Sequence, residues 1–368
     1  MAVDSHVTVV GGGVIGLLAA RELRAAGLDV TVLDRGEIGR ESSWAGSGIL
    51  SPLHPWRQPS AVHPLSLWSQ RVYPALAETL AAESGIDPEL HPDGLLLPDC
   101  ADTEQALAWA RQWQVPVQTL DAGALRAAEP AVAPHTSALL LPQVAQVRNP
   151  RLLRALHVAL QHAGVRFEQD CEVLGFARRG NRVEALDTRR GRRAIQLLLV
   201  TAGAWSGQLL RGCGLDLPIE PVRGQILALQ TPPRLIRHVV LAEGHYLVPR
   251  HDGLVLAGST VERAGFDKTP LPATADALHA AAARLVPALQ DAPRVAHWAG
   301  LRPGSPDGTP YMGRHPQLEN VYVSGGHFRS GLTLAPASAV LLAALITGSA
   351  PPLDPTPYAL PQAAAADA

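Results

Sequence analysis

The stretch HVTVVGGGVIGLLAARELRAAGLDVTVLD, residues 6–34, constrains the fold more than any other part of this chain. A β-branched run, His6–Val10, enters a glycine cluster and then an Ala/Leu segment from about Val14 to Ala26, closed by Gly27. The DVTVLD that follows reads as a second buried strand. Two strands joined through a helix are parallel, so this βαβ unit predicts a parallel sheet. Gly11, Gly13 and Gly16 stand in the G-x-G-x-x-G spacing between strand and helix. The first makes the turn, the second lets a pyrophosphate approach the backbone, and the third lets helix and strand close together. Val14 and Ile15 begin the helix, whose unpaired N–H groups and partial positive charge suit phosphate. Asp34 ends the second strand where a carboxylate would meet an adenosine ribose. Arg35 beside it either touches an adenosine 2′-phosphate or is a solvated loop arginine. The fingerprint predicts a dinucleotide and does not choose between FAD and a nicotinamide.

The rest of the chain must then make a second domain, because 368 residues exceed one typical core. Residues 64–84 repeat Leu65, Trp68, Val72, Leu76 and Leu80 at helical spacing. Residues 86–148 read as irregular and Pro-punctuated, with one helix near 103–113. Asn149 as N-cap and Pro150 in the first turn start another helix, which Gly164 closes. VRFEQ, CEVLGFARR, RVEALDT and AIQLLLVTAG read as strands, the last nearly all apolar and so central. Residues 219–260 alternate as an antiparallel sheet, followed by a helix near 272–286, the strand NVYVSGG and an apolar helix from Gly331. The expected division is a nucleotide-binding domain from 1–85, 149–218 and 300–348, interleaved with a sheet-based domain from 86–148 and 219–299. Residues 349–368 read as a loosely attached Pro/Ala tail.

Composition excludes several classes. A formal charge of −2 without a basic run argues against nucleic acid. Cys100, Cys171 and Cys213 form no CxxC, and the histidines at 54, 63, 91, 135, 157 and 162 lack zinc spacing, so no disulfide framework and no metal site is expected. No cationic leader precedes the first apolar run, and residues 331–347 carry Pro, Ser and Thr. The expectation is a cytoplasmic protein with no membrane span. No carboxylate pair stands out for acid–base work, which points to chemistry carried by a cofactor.

Five further stretches, in this order, complete the pattern: GRESSWAGSGILSPLHPWR (39–57), VTAGAWS (200–206), GHYLVPR (244–250), WAGLRPGSPDGTPYMGRHP (298–316) and GGHFRSGLTLAPASA (325–339). With the N-terminal fingerprint they resemble the FAD-dependent D-amino-acid oxidase superfamily, and most closely its glycine oxidase branch, associated with thiamine biosynthesis. The resemblance spans residues 5 to 347. It implies an α/β fold in which a Rossmann-like FAD-binding domain interleaves with an antiparallel-sheet α+β substrate domain.

For the cofactor, the resemblance implies FAD held along its length. Ser42, Ser43, Gly46, Ser47, Gly48 and Ile49 would lie beside the isoalloxazine and pyrophosphate, and Val173 would meet the adenine. Ala202, Gly203 and Trp205 would close the nucleotide pocket, with Gly300 also at the cofactor. His327, Arg329, Ser330, Gly331 and Leu332 would border the pyrimidine edge, where the N-terminus of the apolar helix suits negative charge. For the substrate, Arg302 would grip an amino-acid carboxylate, Tyr246 would hydrogen-bond it, and Arg329 would stand nearby. The planar fork of arginine pairs both carboxylate oxygens and so fixes the Cα–H.

The implied reaction is oxidation of glycine or another small amino acid. A hydride passes from Cα to flavin N5, the imine hydrolyses to 2-oxo acid and ammonia, and O2 is reduced to H2O2. The family further implies a homo-oligomer and an imine feeding the thiazole of thiamine. A D-amino-acid or sarcosine oxidase or dehydrogenase stands as the alternative within the superfamily, and a non-catalytic nucleotide-binding subunit as the alternative outside it. Two departures from the family are visible: WAGSGIL places Trp44, Ser47 and Ile49 near the flavin, and Ser330 replaces a common Asn.

Overall fold

A computed structural model describes residues 5–361 of the chain. Six strands form one sheet in the spatial order Tyr311–Arg314, Val321–Gly325, Leu197–Val200, His6–Val10, Asp29–Leu33, Arg166–Glu168. All neighbours are parallel except the first pair. The apolar run LLLV lies between two parallel neighbours, which explains its lack of alternation. The helices Val14–Ala25, Val62–Ser84, Asn149–His162 and Gly331–Thr347 pack on one face of this sheet. Leu17, Leu18 and Leu23 are buried there, each contributing roughly 1.5–3 kcal/mol. The Gly331–Thr347 helix is apolar all round because it is the buried central helix of this layer.

An eight-stranded sheet follows the order Arg294–Gly304, Glu220–Gln230, Leu254–Gly258, His245–Pro249, Val239–Ala242, Leu95–Pro98, Ser137–Leu141, Gln118–Asp121. Strand alternation sorts its two faces. Leu227, Leu229, Leu247, Val255 and Ala257 pack with Leu278, Ala282 and Leu285 of the helix Pro272–Leu285. Ile226, Tyr246, Val248 and Leu256 point the other way, towards Ile49 and the six-stranded sheet's loops. Tyr246 and His245 therefore face opposite sides.

Four expectations change. Residues 86–148 hold three strands of this sheet: Leu95–Pro98, Gln118–Asp121 and Ser137–Leu141. Asn149 lies inside its helix instead of capping it, and its side-chain amide donates to Ser43 O at 2.7 Å. WAGLRPG is strand through Gly304 and carries Arg302, so the eight-stranded sheet runs past the boundary expected between 299 and 300. The C-terminal segment is docked: Tyr358 and Leu360 are buried, and the Tyr358 hydroxyl donates to Ala61 O at 2.7 Å. The remainder of the expected tail, 362–368, lies outside the described residues.

Candidate active site

The two sheets meet around one cavity of about 730 Å³. Every residue expected at the cofactor or the substrate lines it, with the exceptions of Gly16 and Trp44. Gly16 has the packing role its place in the motif predicts, since a β-carbon there would overlap Gly11 O. Gly11 adopts φ +113° with its Cα against Thr201 O, leaving no room for a side chain. Gly13 instead faces open space apart from Ser43 Oγ, 3.1 Å from an added β-carbon. That hydroxyl accepts the N–H of Val14 at 2.9 Å, placing Ser43 at the first turn of the helix. Asp34 accepts from Gly12 N at 2.7 Å and Gly36 N at 2.9 Å, while burial raises its pKa against those two bonds. A glycine turn, a helix N-terminus and a half-buried acid form a set of donors and an acceptor that fits the pyrophosphate and ribose of a dinucleotide.

At the nucleotide end, the guanidinium of Arg35 lies 4.1 Å over the Trp205 ring. Trp205 in turn stacks on Phe266, centroids 5.5 Å apart and tilted 23°. Phe266 comes from the loop that follows the strand Leu254–Gly258, so the sheet domain reaches across to this end of the cavity.

Arg302, Tyr246 and Arg329 stand together in the same cavity. Arg302 pairs in register with Val222 on the neighbouring strand, and its guanidinium lies over Gly224, where a β-carbon would overlap it. Nη1 donates to Thr260 O at 3.0 Å and Nη2 to Ser259 Oγ at 2.9 Å. Tyr246 needs a glycine in the same way: a β-carbon at Gly258, its register partner, would stand 2.7 Å from the phenol oxygen. Burial lowers the pKa of Arg302, with Arg329 pushing the same way and Tyr246 and Glu262 opposing it. Burial also lowers that of Arg329. Among the described residues neither arginine forms an ion pair with a carboxylate. Two cations without acids in one cavity make an anion site.

Further walls of the cavity come from the loop 46–49 and from the start of the last helix. Arg250, only 4 % exposed, donates to Ser47 O at 2.9 Å and Val147 O at 3.0 Å and so pins that loop from behind. Gly300 faces Ala45, whose β-carbon would stand 2.5 Å from one added at 300. Tyr73 donates to Leu332 O at 2.6 Å, fixing the first turn of the Gly331–Thr347 helix, whose N-cap Ser330 makes no side-chain cap. No side chain of Ser330 caps the first-turn N–H groups, which suits a ligand there. His327 is buried against Ser338 Oγ at 3.1 Å, and burial pulls its pKa down to about 3, so it is a neutral core histidine.

Trp44 corrects an expectation. It turns to the far side of the short helix Ser42–Ala45, edge-to-face on Trp298 at 5.7 Å and under Arg40 at 4.7 Å. It does not border the cavity, because Ala45 faces that way instead. Sequence reasoning missed Gly224, Gly258, Ser259, Thr260 and Phe266. Their reasons lie across strand pairs and between domains, where local pattern gives no signal.

Comparison with known proteins gives the family. The model of the family described as FAD dependent oxidoreductase matches residues 6–345. The chain is 49 % identical over 358 residues to a glycine oxidase of Pseudomonas aeruginosa, covering 97 % of this chain and 98 % of that protein. It is 32 % identical over 354 residues to the bifunctional protein ThiO/ThiG of Synechocystis, covering 94 % of this chain and 52 % of that longer protein. The crystal structure of glycine oxidase from Geobacillus kaustophilus superposes with a TM-score of 0.92 at 32 % identity, covering 97 % of this chain and 98 % of that one.

Proposed function

Because the chain belongs to the FAD dependent oxidoreductase family, we propose that its substrate is glycine, held by its carboxylate on Arg302 with O2 as the final acceptor. The protein is an FAD-dependent amino-acid oxidase, and FAD fits the cradle of Gly11, Gly13, Ser43 and Asp34 described above. When bound, FAD supplies the two-electron acceptor for a hydride from an amine Cα–H. The protein's own part is binding, orientation and exclusion of water.

The single observation that carries the substrate reading is the anion site without acids at Arg302 and Arg329, in the same cavity as the nucleotide cradle. A carboxylate paired with the Arg302 fork places Cα at a fixed reach from the cofactor wall, and the Tyr246 hydroxyl adds a second hold. Glycine is favoured among amino acids by the high identity to the Pseudomonas aeruginosa glycine oxidase over nearly the full chain. The product imine then hydrolyses to the 2-oxo acid and ammonia or feeds the thiazole of thiamine, a role suggested by the likeness to ThiO/ThiG. A homo-oligomer working in the cytoplasm, apart from membrane and nucleic acid, completes the reading.

The test is anaerobic addition of glycine to the yellow holoenzyme, followed by peroxide release with glycine, sarcosine, D-alanine and D-proline. Bleaching by glycine and the highest kcat/KM for glycine are expected. A flavin that stays yellow with glycine but bleaches with sarcosine or a D-amino acid would overturn the glycine assignment.

A further inference from the structure

Arg302 has no acid of its own, yet one carboxylate reaches it through a single residue. Glu262 lies on the segment that leaves the strand Leu254–Gly258 and runs towards Phe266. Its Oε2 accepts Nε and Nη2 of Arg223 at 2.9 and 2.6 Å. Its Oε1 accepts Gln225 Nε2 at 2.8 Å and the hydroxyl of Thr260. The main chains of Arg223 and Glu262 also exchange both N–H···O bonds, each at 2.9 Å. Glu262 therefore ties its segment to the strand Glu220–Gln230 by side chain and backbone together.

Thr260 is held twice by this cluster. Its hydroxyl donates to Glu262 and accepts the N–H of Gln225 at 3.0 Å. Its carbonyl is the acceptor for Arg302 Nη1, and the adjacent Ser259 hydroxyl accepts Nη2. Two of the contacts that orient the guanidinium, besides Tyr246, thus sit on a short segment clamped by Glu262. Arg223 is 6 % exposed, so its charge needs that carboxylate, and among the described residues only Asp267, at 2.8 Å, offers another. Neither Glu262 nor Arg223 borders the cavity.

We propose that Glu262 is a positioning residue for the amino-acid carboxylate: with Arg223 it fixes Thr260 and Ser259, and through them it aims the fork of Arg302. The proposal rests on the reading of Arg302 as the carboxylate anchor. A salt bridge serving stability alone would alter melting temperature and leave carboxylate binding untouched. A positioning role shows in KM and in the affinity for a carboxylate without an amine.

The experiment uses holoenzyme carrying Glu262→Gln, with glycine kinetics and a glycolate titration followed by flavin absorbance. The glycine KM and the glycolate Kd should each rise about tenfold while kcat stays within about threefold. In an Arg302→Ala background the same substitution should remove less than about twofold more of kcat/KM, because the residue it aims is gone. Equal losses in both backgrounds, or unchanged KM and glycolate affinity in the single variant, overturn the proposal. Should Glu262→Gln not hold its flavin, Thr260→Val leaves the Arg223–Glu262 pair intact and carries the same expectations; wild-type KM in that variant overturns it equally. Wild-type kinetics in Arg302→Ala itself would instead remove the anchor reading, a separate result.

Discussion

The guanidinium of Arg302 lies flat on the backbone of Gly224, one strand over, in the space a β-carbon would fill. Gly224→Ala must therefore displace the arginine and break its bonds to Thr260 O and Ser259 Oγ. Steady-state kinetics should show the glycine KM up at least about tenfold with FAD content unchanged, as loss of a charge-assisted bond of roughly 1.5–3 kcal/mol implies. An unaltered KM would mean that the arginine does not need this surface.

Removing the arginine is more severe. Arg302→Ala should raise the glycine KM on the order of a hundredfold or more while the bound FAD spectrum persists. Arg302→Lys should recover little of this, since an ammonium cannot pair both carboxylate oxygens. Tyr246→Phe should cost only about three- to tenfold in KM, the worth of one bond. Equal costs for both sites would contradict this ranking.

Acid should destabilise the fold through its buried histidines. His327 titrates near 6.5 when unfolded but only near 3 when folded, because burial disfavours its charge. Between those values the unfolded chain holds the extra proton. The histidine's contribution is thus complete above about 6.5 and falls by about 1.4 kcal/mol per pH unit below it. His54, pulled down to about 4 by burial and then by Arg57, acts in the same direction. Melting temperature should fall steadily from pH 7 to pH 5, and less steeply in His327→Gln. A flat profile over that range would contradict the burial argument.

The stack of Arg35, Trp205 and Phe266 closes the nucleotide end from both domains. Phe266→Ala should speed FAD loss several-fold on dialysis, an aromatic contact being worth about 0.5–1.5 kcal/mol, with little change in glycine KM. Retention of FAD equal to wild type would show that Trp205 needs no partner.

Much of the nucleotide half was legible because its signals are local. Gly11, Gly13 and Gly16 between strand and helix, or Pro150 in a first turn, act within a few residues of themselves. Leu95–Pro98 was not legible, since its partners are Val239–Ala242, far along the chain, and Ser137–Leu141. At the site, Arg302 and Tyr246 came from long motifs, while Gly224 and Gly258 read as ordinary strand glycines. What makes them necessary is the side chain on the adjacent strand, a relation no single segment contains. Trp44 was misread for a related reason: a four-residue helix turns Ala45 inward and sends the indole outward.

Gly300 and Arg302 stand two residues apart on one strand, about 6.6 Å by the strand rise. The first rests on Ala45 at the cavity wall, and the second is the proposed anchor of the carboxylate. That spacing is a covalent gauge, set by the pleat of the backbone and indifferent to how side chains repack. On that reading, variants of this scaffold that come to accept other amino acids should keep the carboxylate where it is and remodel other lining residues such as Leu53, Ile226 and Leu241.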